Sequence, residues 1–567
     1  MSGRFLKIRA LLLIVSFMAL AAFLIRTVGT VGSGTEEGAD LPFSLTYSQD
    51  GIRHRIKGFR TETAVYYFIP GNLALEDVHL ATEAAEGVQI GEIQLKDGDA
   101  LTLAELNRTY EAVGGEDAVI FCQGSGLPVI RISTASGSME AINGDKEYSE
   151  AGFLEVYDAD GRMETAAKLE RISGRGNTSW DAAKKSYALK LEDAEDILGM
   201  GAAKRWVLCA NYYDGAYIRN QIGFEIAAES GMRFTPEERF AELYINDEYA
   251  GLYQIMEKIE PGPGRMEIGD NYLLEVDYIE RAVEETFILL ENEQPVVIHA
   301  PEKNCDPEAV RQFFDTFTRQ MENGEVPEAM EMLDVESFAK RFVMEEILQD
   351  MDFGYTSQYL YLDPEKGILY DGPLWDLDNT MGRGTAVEAE TLFVTKYELV
   401  YNNVSRWYAV LYGQPEFRRL VSQEYWKNFR PELLSLIEGG IEEKIAVIEA
   451  SIAMDRIRFP APRSVFMTEA SLEEHTDHLT KYLRDKLYLM DAFFGEEHTD
   501  GARPVVLPKT EVKENPLEAE TEPAGQEEAV EAHGIVYYVM YWRFPVLLLV
   551  MCCGSVLLWY RCRKTGK

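Results

Sequence analysis

The stretch 349–382 constrains the fold of this chain more than any other part of its sequence, because it brings three carboxylates together on short strand-like pieces. Two runs in it, 358–362 and 368–370, are rich in aromatic and branched residues. The turn-forming pairs Asp-Pro and Lys-Gly lie between these runs. The pattern therefore predicts a β-hairpin that is bordered by aspartates on both sides.

The three aspartates are candidates for a metal-assisted site. Asp352 precedes the first strand of the hairpin, and Asp376 and Asp378 follow the second. Extended geometry would place Asp376 and Asp378 on one face, where two carboxylates repel unless a cation lies between them. A hard divalent ion such as Mg²⁺ takes one or two carboxylates plus substrate phosphates. The pattern thus favours a nucleotide site, and a solvated aspartate-rich turn is the alternative.

Length and charge limit the classes of protein to consider. A chain of 567 residues is too long for one ordinary core, and its hydrophobic content of 46% is that of a globular protein. A formal charge of -41 argues against nucleic-acid binding, because a polyanion would be repelled. The charge favours a substrate that is neutral, basic or bridged by metal.

Both ends of the chain carry apolar segments. Basic residues precede an apolar run at 10–25, which is typical of a signal or signal-anchor segment, 1–32. A second apolar run, 544–560, has aromatic residues on both sides and a basic tail. This pattern predicts a transmembrane segment with a cytoplasmic tail over 535–567. Together they predict a membrane protein with an extracytoplasmic main domain and both termini in the cytoplasm.

The middle of the chain divides into three parts by composition. Short strand-like runs over 41–126 predict a small β-rich accessory domain. The body, 127–495, opens with strands and continues mostly as helices over 307–346 and 395–494. The segment 496–534 is acidic and becomes rich in Glu, Pro and Ala, which is typical of a disordered stalk.

A loop and strand in the body suggest how a cation could reach a phosphate. Gly174 and Gly176 flank Arg175 in a tight loop, and the strand that follows alternates so that Lys190 lies opposite its apolar face. Lys184 and Lys185 are competing choices, and a plain surface lysine is the alternative to all three. Further along, 214–231 reads as an amphipathic helix and 240–256 as a hairpin.

Several motifs resemble the CotH protein kinases, a family named for a bacterial spore-coat protein. They are RGNTSW at 175–180, KKSYALKL at 184–191, the hairpin ELYINDEYAGLYQIMEKIE, NYLLEVD and GPLWDLDNTMG. The match covers nearly all of 127–382, in the right order. The resemblance implies an α+β fold of the atypical protein-kinase type, with a β-rich N-lobe and a helical C-lobe, preceded here by the accessory domain.

The resemblance also implies an activity and its cofactors. It implies transfer of the γ-phosphate of ATP, with Mg²⁺ or Mn²⁺, to serine residues of a surface or spore-coat protein. Asp352 would be the catalytic aspartate, and Asp376 the metal-holding aspartate, with Asp378 beside it. Gln358 stands where a kinase often has an asparagine for a second metal. Either one metal suffices or Asp378 supplies the missing oxygen.

Five further residues are expected at the nucleotide by analogy with the family. Arg175 and Asn177 belong to the glycine-bearing loop, and Lys190 would contact phosphate with Glu257 as its partner. Glu275 lies in the connector 274–277, where adenine would sit.

Two readings without kinase activity remain open. One is a catalytically silent surface scaffold or spore-coat assembly protein with the same fold. The other is a carbohydrate-acting enzyme with Asp352 and Asp376 as an acid and base pair. That enzyme would need an aromatic-lined groove, which Trp375, Tyr359 and Tyr361 could supply.

Overall fold

The structure is a computed structural model that describes residues 43–495, except 104, 112–117, 284, 291–292, 304, 384–388, 396–403, 405 and 461–469. All described residues belong to one compact unit. The predicted segments 1–32, 496–534 and 535–567 therefore lie outside the described residues.

The predicted membrane localisation needs correction. Among the residues that the structure describes, no helix is both long enough and apolar enough to cross a bilayer. This finding overturns the localisation, although the two apolar segments on which it was based are themselves outside the described part of the chain.

The first nine strands form three small sheets. They are β1 Ser44–Gln49, β2 Ile52–Ile56, β3 Phe59–Arg60, β4 Ala64–Ile69, β5 His79–Ala81, β6 Val88–Ile90, β7 Ile93–Leu95, β8 Thr109–Glu111 and β9 Ala118–Gln123. The sheet orders are β2-β1-β5, β3-β4-β9-β8 and β6-β7. They share one hydrophobic cluster, but Phe68 and Cys122 also pack with Tyr244 and Met454 of the body. A separate accessory domain stays a prediction.

The next seven strands close into a barrel. They are β10 Val129–Thr134, β11 Ser149–Tyr157, β12 Met163–Arg175, β13 Ser186–Asp196, β14 Ala202–Cys209, β15 Glu238–Ile245 and β16 Glu248–Glu257. Their order is β10-β11-β12-β13-β14-β16-β15, and parallel pairing of β15 with β10 completes the closure. Leu189, Leu191 and Trp206 are among the buried residues that fill the core of the barrel. The predicted alternation along 186–191 is therefore confirmed.

A five-stranded sheet carries the aspartate-bordered hairpin. Its strands are β17 Tyr272–Val276, β18 Phe287–Leu289, β19 Pro295–Ala300, β20 Gln358–Asp363 and β21 Ile368–Asp371, in the order β18-β19-β17-β20-β21. The predicted hairpin of β20 and β21 is confirmed, as is the hairpin of β15 and β16. Glu275 of β17 lies opposite Tyr359 of β20.

Helices supply the rest of the described body. They are α1 Glu140–Gly144, α2 Arg219–Glu229, α3 Ile279–Ala282, α4 Pro307–Asn323, α5 Val326–Met330, α6 Val335–Leu348, α7 Arg406–Tyr412, α8 Pro415–Glu424, α9 Arg430–Ser435, α10 Ile441–Arg458 and α11 Leu472–Gly495. Two π-helical turns, Tyr425–Phe429 and Leu436–Gly440, flank α9. The mixed α+β class is confirmed, whereas the division into kinase-like lobes stays a prediction.

Helix α2 begins later than the predicted 214–231. The carboxylate of Asp214 accepts hydrogen bonds from the backbone N–H groups of Ala216 and Arg219, so the chain turns before the helix starts. Asp214 therefore lies before the helix and caps its first residue, Arg219, but is not part of its first turn.

Candidate active site

Asp352, Asp376 and Asp378 interact electrostatically in one site. Asp376 is exposed to solvent, and Asp352 and Asp378 are partly exposed. Desolvation by the surrounding protein raises the pKa of all three carboxyls, to about 6 for Asp378. Repulsion adds to this effect, since Asp378 raises the pKa of Asp352, and Asp352 raises that of Asp376. The site is therefore a crowded but water-accessible concentration of negative charge.

The segment that carries Asp376 and Asp378 is not extended. Asp376 has a left-handed backbone, with φ of 61°, and Leu377–Asn379 forms a 3₁₀ turn. The predicted extended geometry is wrong here. A non-glycine residue in the left-handed region costs free energy, and such residues cluster at functional sites, so neighbouring contacts must impose this conformation.

Residues of helix α2 supply those contacts. The side-chain oxygen of Asn220 accepts a hydrogen bond of 2.9 Å from the backbone N–H of Leu377. Arg219 Nε donates to the carbonyl oxygen of Thr380 at 3.0 Å, and its guanidinium also pairs with Asp214. Arg219 and Asn220 are thus buried supports of the aspartate segment.

The sequence did not reveal that Arg219 and Asn220 support the aspartate segment, because polar residues early in a helix are equally well explained by a solvent-exposed face. Arg219 and Asn220 are in fact only 1% and 2% exposed. One signal was available. Arg219 precedes Ile222 and Ile226 at i, i+3 and i+7, which puts it on the apolar face of the helix.

A second set of contacts holds the loop that carries Asp352. The backbone N–H of Asp352 donates to Asp350 Oδ1 at 2.9 Å, and its carbonyl oxygen accepts from the N–H groups of Tyr355 and Thr356. Thr356 Oγ1 then donates to Asp277 Oδ1 at 2.7 Å. The loop is therefore attached to the end of β17, which also presents Glu275.

Arg175 connects the carboxylates to the predicted nucleotide region. Its guanidinium carbon lies 5.3 Å from the centre of the Trp375 ring, and its charge lowers the pKa of Asp376. Glu275 lies opposite Tyr359 of the neighbouring strand β20, and its Oε2 lies 2.6 Å from His299 Nε2. Asn177 is exposed, and its side-chain oxygen accepts from Lys146 Nζ at 3.3 Å.

The expected partnership of Lys190 and Glu257 is not formed. Lys190 Nζ pairs with Glu170 at 2.6 Å on the outer face of the barrel. Glu257 instead lies 3.5 Å from Arg265 Nε and accepts from the backbone N–H of Glu237. The register of the closed barrel decides these neighbours.

The two competing lysines are engaged elsewhere. Lys184 is buried and lies 2.8 Å from Asp455 of α10, so it joins the barrel to a helix. Lys185 Nζ donates to the backbone carbonyl oxygen of Trp180 at 2.6 Å and lies 4.3 Å from the centre of the Trp180 indole ring. Both contacts are structural.

The carboxylates suit a divalent ion that also binds phosphate. No group of three or more His, Cys, Asp or Glu side chains arranged for a metal occurs among the described residues. Asp376 and Asp378 with solvent access nonetheless match the one or two carboxylates that Mg²⁺ uses beside substrate phosphates. Gln358 is fully buried, and its amide nitrogen donates to Asp371 and Tyr408, whereas its Oε1, the atom that could bind a metal, has no hydrogen-bond partner in the described part of the chain.

The aromatic residues do not favour a sugar groove. Tyr361 is buried and stacks on Tyr370 at 4.5 Å between ring centres. Trp375 is 9% exposed and lies against Arg175. Of the three aromatic residues considered for a groove, these two are therefore packing residues.

The α+β fold and the three mutually repelling carboxylates are compatible with a phosphoryl-transfer enzyme. The family model of the CotH kinase protein matches residues 172–490, which is more than half of the chain. This chain therefore belongs to the CotH kinase family, as the motif resemblance predicted. Membership implies a kinase-like enzyme. No curated protein matches the chain.

Proposed function

We propose that this protein transfers the γ-phosphoryl group of ATP to serine hydroxyls of an acceptor protein. The observation that carries the proposal is that Asp352, Asp376 and Asp378, whose negative charges raise one another's pKa, all keep access to water. Phosphoryl transfer asks a protein mainly to position the reactants and stabilise charge, and this set of side chains fits both tasks.

Asp352 orients the serine hydroxyl and accepts its proton on a carboxylate oxygen. Desolvation and the neighbouring carboxylates raise its pKa, which makes it a better proton acceptor than an ordinary aspartate. Asp376 and Asp378 would hold Mg²⁺ or Mn²⁺, which neutralises phosphate charge when bound. Asn220 and Arg219 keep these two carboxylates in place.

The remaining expected nucleotide contacts are Arg175, Asn177, Lys190, Glu257 and Glu275. Two of them gain support from their surroundings. Arg175 adjoins Asp376, where the phosphates would lie. Glu275 is oriented by His299, so its carboxylate is suited to accept hydrogen bonds from the nucleoside part of ATP.

The acceptor is a protein with accessible serines, from a spore coat or the cell envelope. The formal charge of -41 favours a neutral or basic acceptor segment, because an acidic one would be repelled. Nucleic acid is not a partner for the same reason.

A catalytically silent scaffold with the same fold is the second candidate. The observation in its favour is that Gln358, fully buried with its amide nitrogen bonded to Asp371, stands where a kinase often has an asparagine for a second metal. A scaffold would not require ATP for its assembly role.

Phosphoryl transfer with labelled ATP tests the proposal. The full chain is incubated with labelled ATP, Mg²⁺ or Mn²⁺ and a serine-rich acceptor, beside Asp352→Asn and Asp376→Asn. Asp315→Asn is the matched control, because Asp315 is an exposed aspartate of α4. Label that both site variants lose and the control keeps supports a kinase. Absence of transfer and of nucleotide binding by the unaltered protein favours the scaffold.

A further inference from the structure

The loop that carries Asp352 contains a second aspartate, Asp350, whose side chain is buried. Asp350 is 6% exposed, and its Oδ1 accepts a hydrogen bond of 2.9 Å from the backbone N–H of Asp352. Its backbone carbonyl oxygen accepts another, of 3.2 Å, from the N–H of Phe353. The peptide groups before and after Asp352 are therefore both bonded to Asp350.

Charged side chains from α6 and β21 pack against this loop. The guanidinium carbon of Arg341 lies 5.3 Å from the centre of the Phe353 ring. Arg341 Nε lies 2.7 Å from Glu345 Oε1, and its Nη1 lies 3.6 Å from Asp371 Oδ1. All three of these charged side chains are at most 3% exposed. We call Asp350, Glu345, Asp371 and Arg341 the buried charge cluster.

The carboxyl groups of the buried charge cluster outnumber its cation. Three carboxyls lie around one guanidinium, and Asp352 adds a fourth next to Asp350. A buried charge without a partner is costly, so a carboxyl in such a place tends to keep its proton. Burial raises the pKa of Asp350, and the charges of Glu345 and Asp352 raise it further, while Arg341 acts in the opposite direction.

Arg341 is engaged by the other two carboxyls of the cluster. Its closest contacts are to Glu345 and Asp371, whereas the Asp350 side chain contacts a backbone N–H. Asp371 also accepts hydrogen bonds from the Tyr408 hydroxyl of α7 and from the amide nitrogen of Gln358. The observed contact of Asp350 thus asks for an acceptor oxygen and does not ask for a charge.

The end of α6 connects this cluster to the rest of the site. Gln349 ends the helix with a left-handed backbone, φ of 49°, and its N–H donates to the carbonyl oxygen of Glu345 at 2.9 Å. The carbonyl oxygen of Leu348 accepts from the N–H of Met381, just beyond Asp378, at 2.8 Å. A displaced Asp350 would therefore move Asp352 relative to the segment that carries the other two carboxylates.

We propose that Asp350 is a positioning residue for phosphoryl transfer, which holds the backbone of Asp352 through a neutral carboxyl group. The inference rests on the proposed function and adds a residue to the same site. The carbonyl oxygen of a neutral carboxyl accepts the N–H of Asp352 as an asparagine oxygen would. A neutral group also adds no charge beside the carboxylate that accepts the serine proton.

Transfer kinetics of the full chain test the assignment. In Asp350→Ala, which lacks the acceptor, we expect kcat to fall about 10- to 100-fold. The KM for ATP should change by less than about 2-fold, because other residues bind nucleotide and metal. Asp350→Asn keeps the acceptor and should retain most of kcat. Asp315→Ala, at an exposed position of α4, is the matched control. Thermal denaturation verifies that each variant is folded.

The pH profile distinguishes a neutral Asp350 from an ionised one. A negative charge there would raise the pKa of Asp352, so its removal would move the acidic limb of kcat/KM to lower pH. We expect the same limb in Asp350→Asn and in the unaltered protein, because one neutral group replaces another. Arg281, Asp378 and Asp277 also act on the pKa of Asp352, and they are unchanged in the variant. A limb displaced to lower pH would overturn the assignment.

The outcomes separate this inference from the proposed function. If the unaltered protein transfers no label, the kinase proposal and this inference both fail. If Asp350→Ala transfers as fast as the unaltered protein, only this inference is overturned. Equal losses in Asp350→Ala and Asp350→Asn would also overturn it, because the amide keeps the acceptor. If Asp350→Ala does not fold, Asp350→Asn decides: retained kcat with an unchanged acidic limb supports the assignment, and a loss of kcat overturns it.

Discussion

Asn220 of helix α2 accepts a hydrogen bond of 2.9 Å from the backbone N–H of Leu377, the residue between Asp376 and Asp378. Its side-chain nitrogen also donates to Asn211 at 3.0 Å, so the side chain is held at both ends. The contact connects residues far apart in the chain. It explains how a left-handed residue is maintained at Asp376.

Replacing Asn220 by alanine tests this support. Asn220→Ala leaves the buried N–H of Leu377 without its partner, which should cost about 1–3 kcal/mol of unfolding free energy. We expect phosphoryl transfer to fall by about 10-fold or more, because displaced carboxylates position metal poorly. Denaturant unfolding and transfer kinetics measure the two effects. Glu229→Ala, at the exposed end of α2, is the control, and equal rates in both variants would argue against the support role.

The buried pair of Arg219 and Asp214 should be strongly coupled. Both side chains are at most 2% exposed. Arg219→Gln or Asp214→Asn alone leaves a buried charge without its partner, with an expected cost of about 3 kcal/mol or more. The double variant should cost less than the sum of the two single variants. A double-mutant cycle in denaturant measures this, and simple additivity would contradict the coupling.

Removal of divalent metal should weaken ATP binding. If Asp376 and Asp378 hold the ion, a chelator lowers the affinity for ATP, and added Mg²⁺ or Mn²⁺ restores it. Added metal raises the affinity for ATP by some factor in the unaltered protein. In Asp376→Asn, that factor should be smaller by about 10-fold or more, because a carboxylate ligand is lost. Calorimetric titration with and without metal measures the change. An unchanged metal dependence in Asp376→Asn, equal to that of Asp315→Asn, would remove Asp376 from the metal site.

Two buried histidines should make the fold sensitive to acid. Burial lowers the pKa of His54 and of His475 to about 4, from an ordinary value of 6.5. Below pH 6.5 the unfolded chain takes up protons that the folded protein does not, so stability falls as the pH is lowered towards 4. Each histidine should contribute up to about 3 kcal/mol to this loss.

Glutamine variants check this pH dependence. Unfolding free energies of His54→Gln and His475→Gln at pH 7 and pH 5 should differ less than those of the unaltered protein. His79→Gln is the control, because His79 lies in β5 and is only partly buried. A drop between pH 7 and pH 5 that is the same in all of these proteins would rule out the two histidines as its source.

Local patterns predicted the local structure well. The strands and turn of 358–370 follow from alternating aromatic and branched residues around turn-forming pairs, and the structure confirms that hairpin. The alternation along 186–191 likewise predicted which side chains fill the barrel. In both cases, neighbours along the chain are sufficient to set the conformation.

Contacts between residues far apart in the chain could not be predicted from such local patterns. Extended geometry failed at Asp376, because Asn220 and Arg219 impose a turn from a distant helix. Lys190 forms an ion pair with Glu170 rather than with Glu257, because the strand order of the closed barrel sets its neighbours. Neither partner could be identified from spacing alone.

The sequence by itself determined the family, the strand-rich start of the body and the identity of the three aspartates, because motif order and side-chain alternation are properties of the chain. Only the tertiary structure decided that Asp352, Asp376 and Asp378 share one electrostatic environment and that Arg175 packs on Trp375, the residue before Asp376. Charge interactions depend on distance in space, and barrel closure and helix packing set that distance.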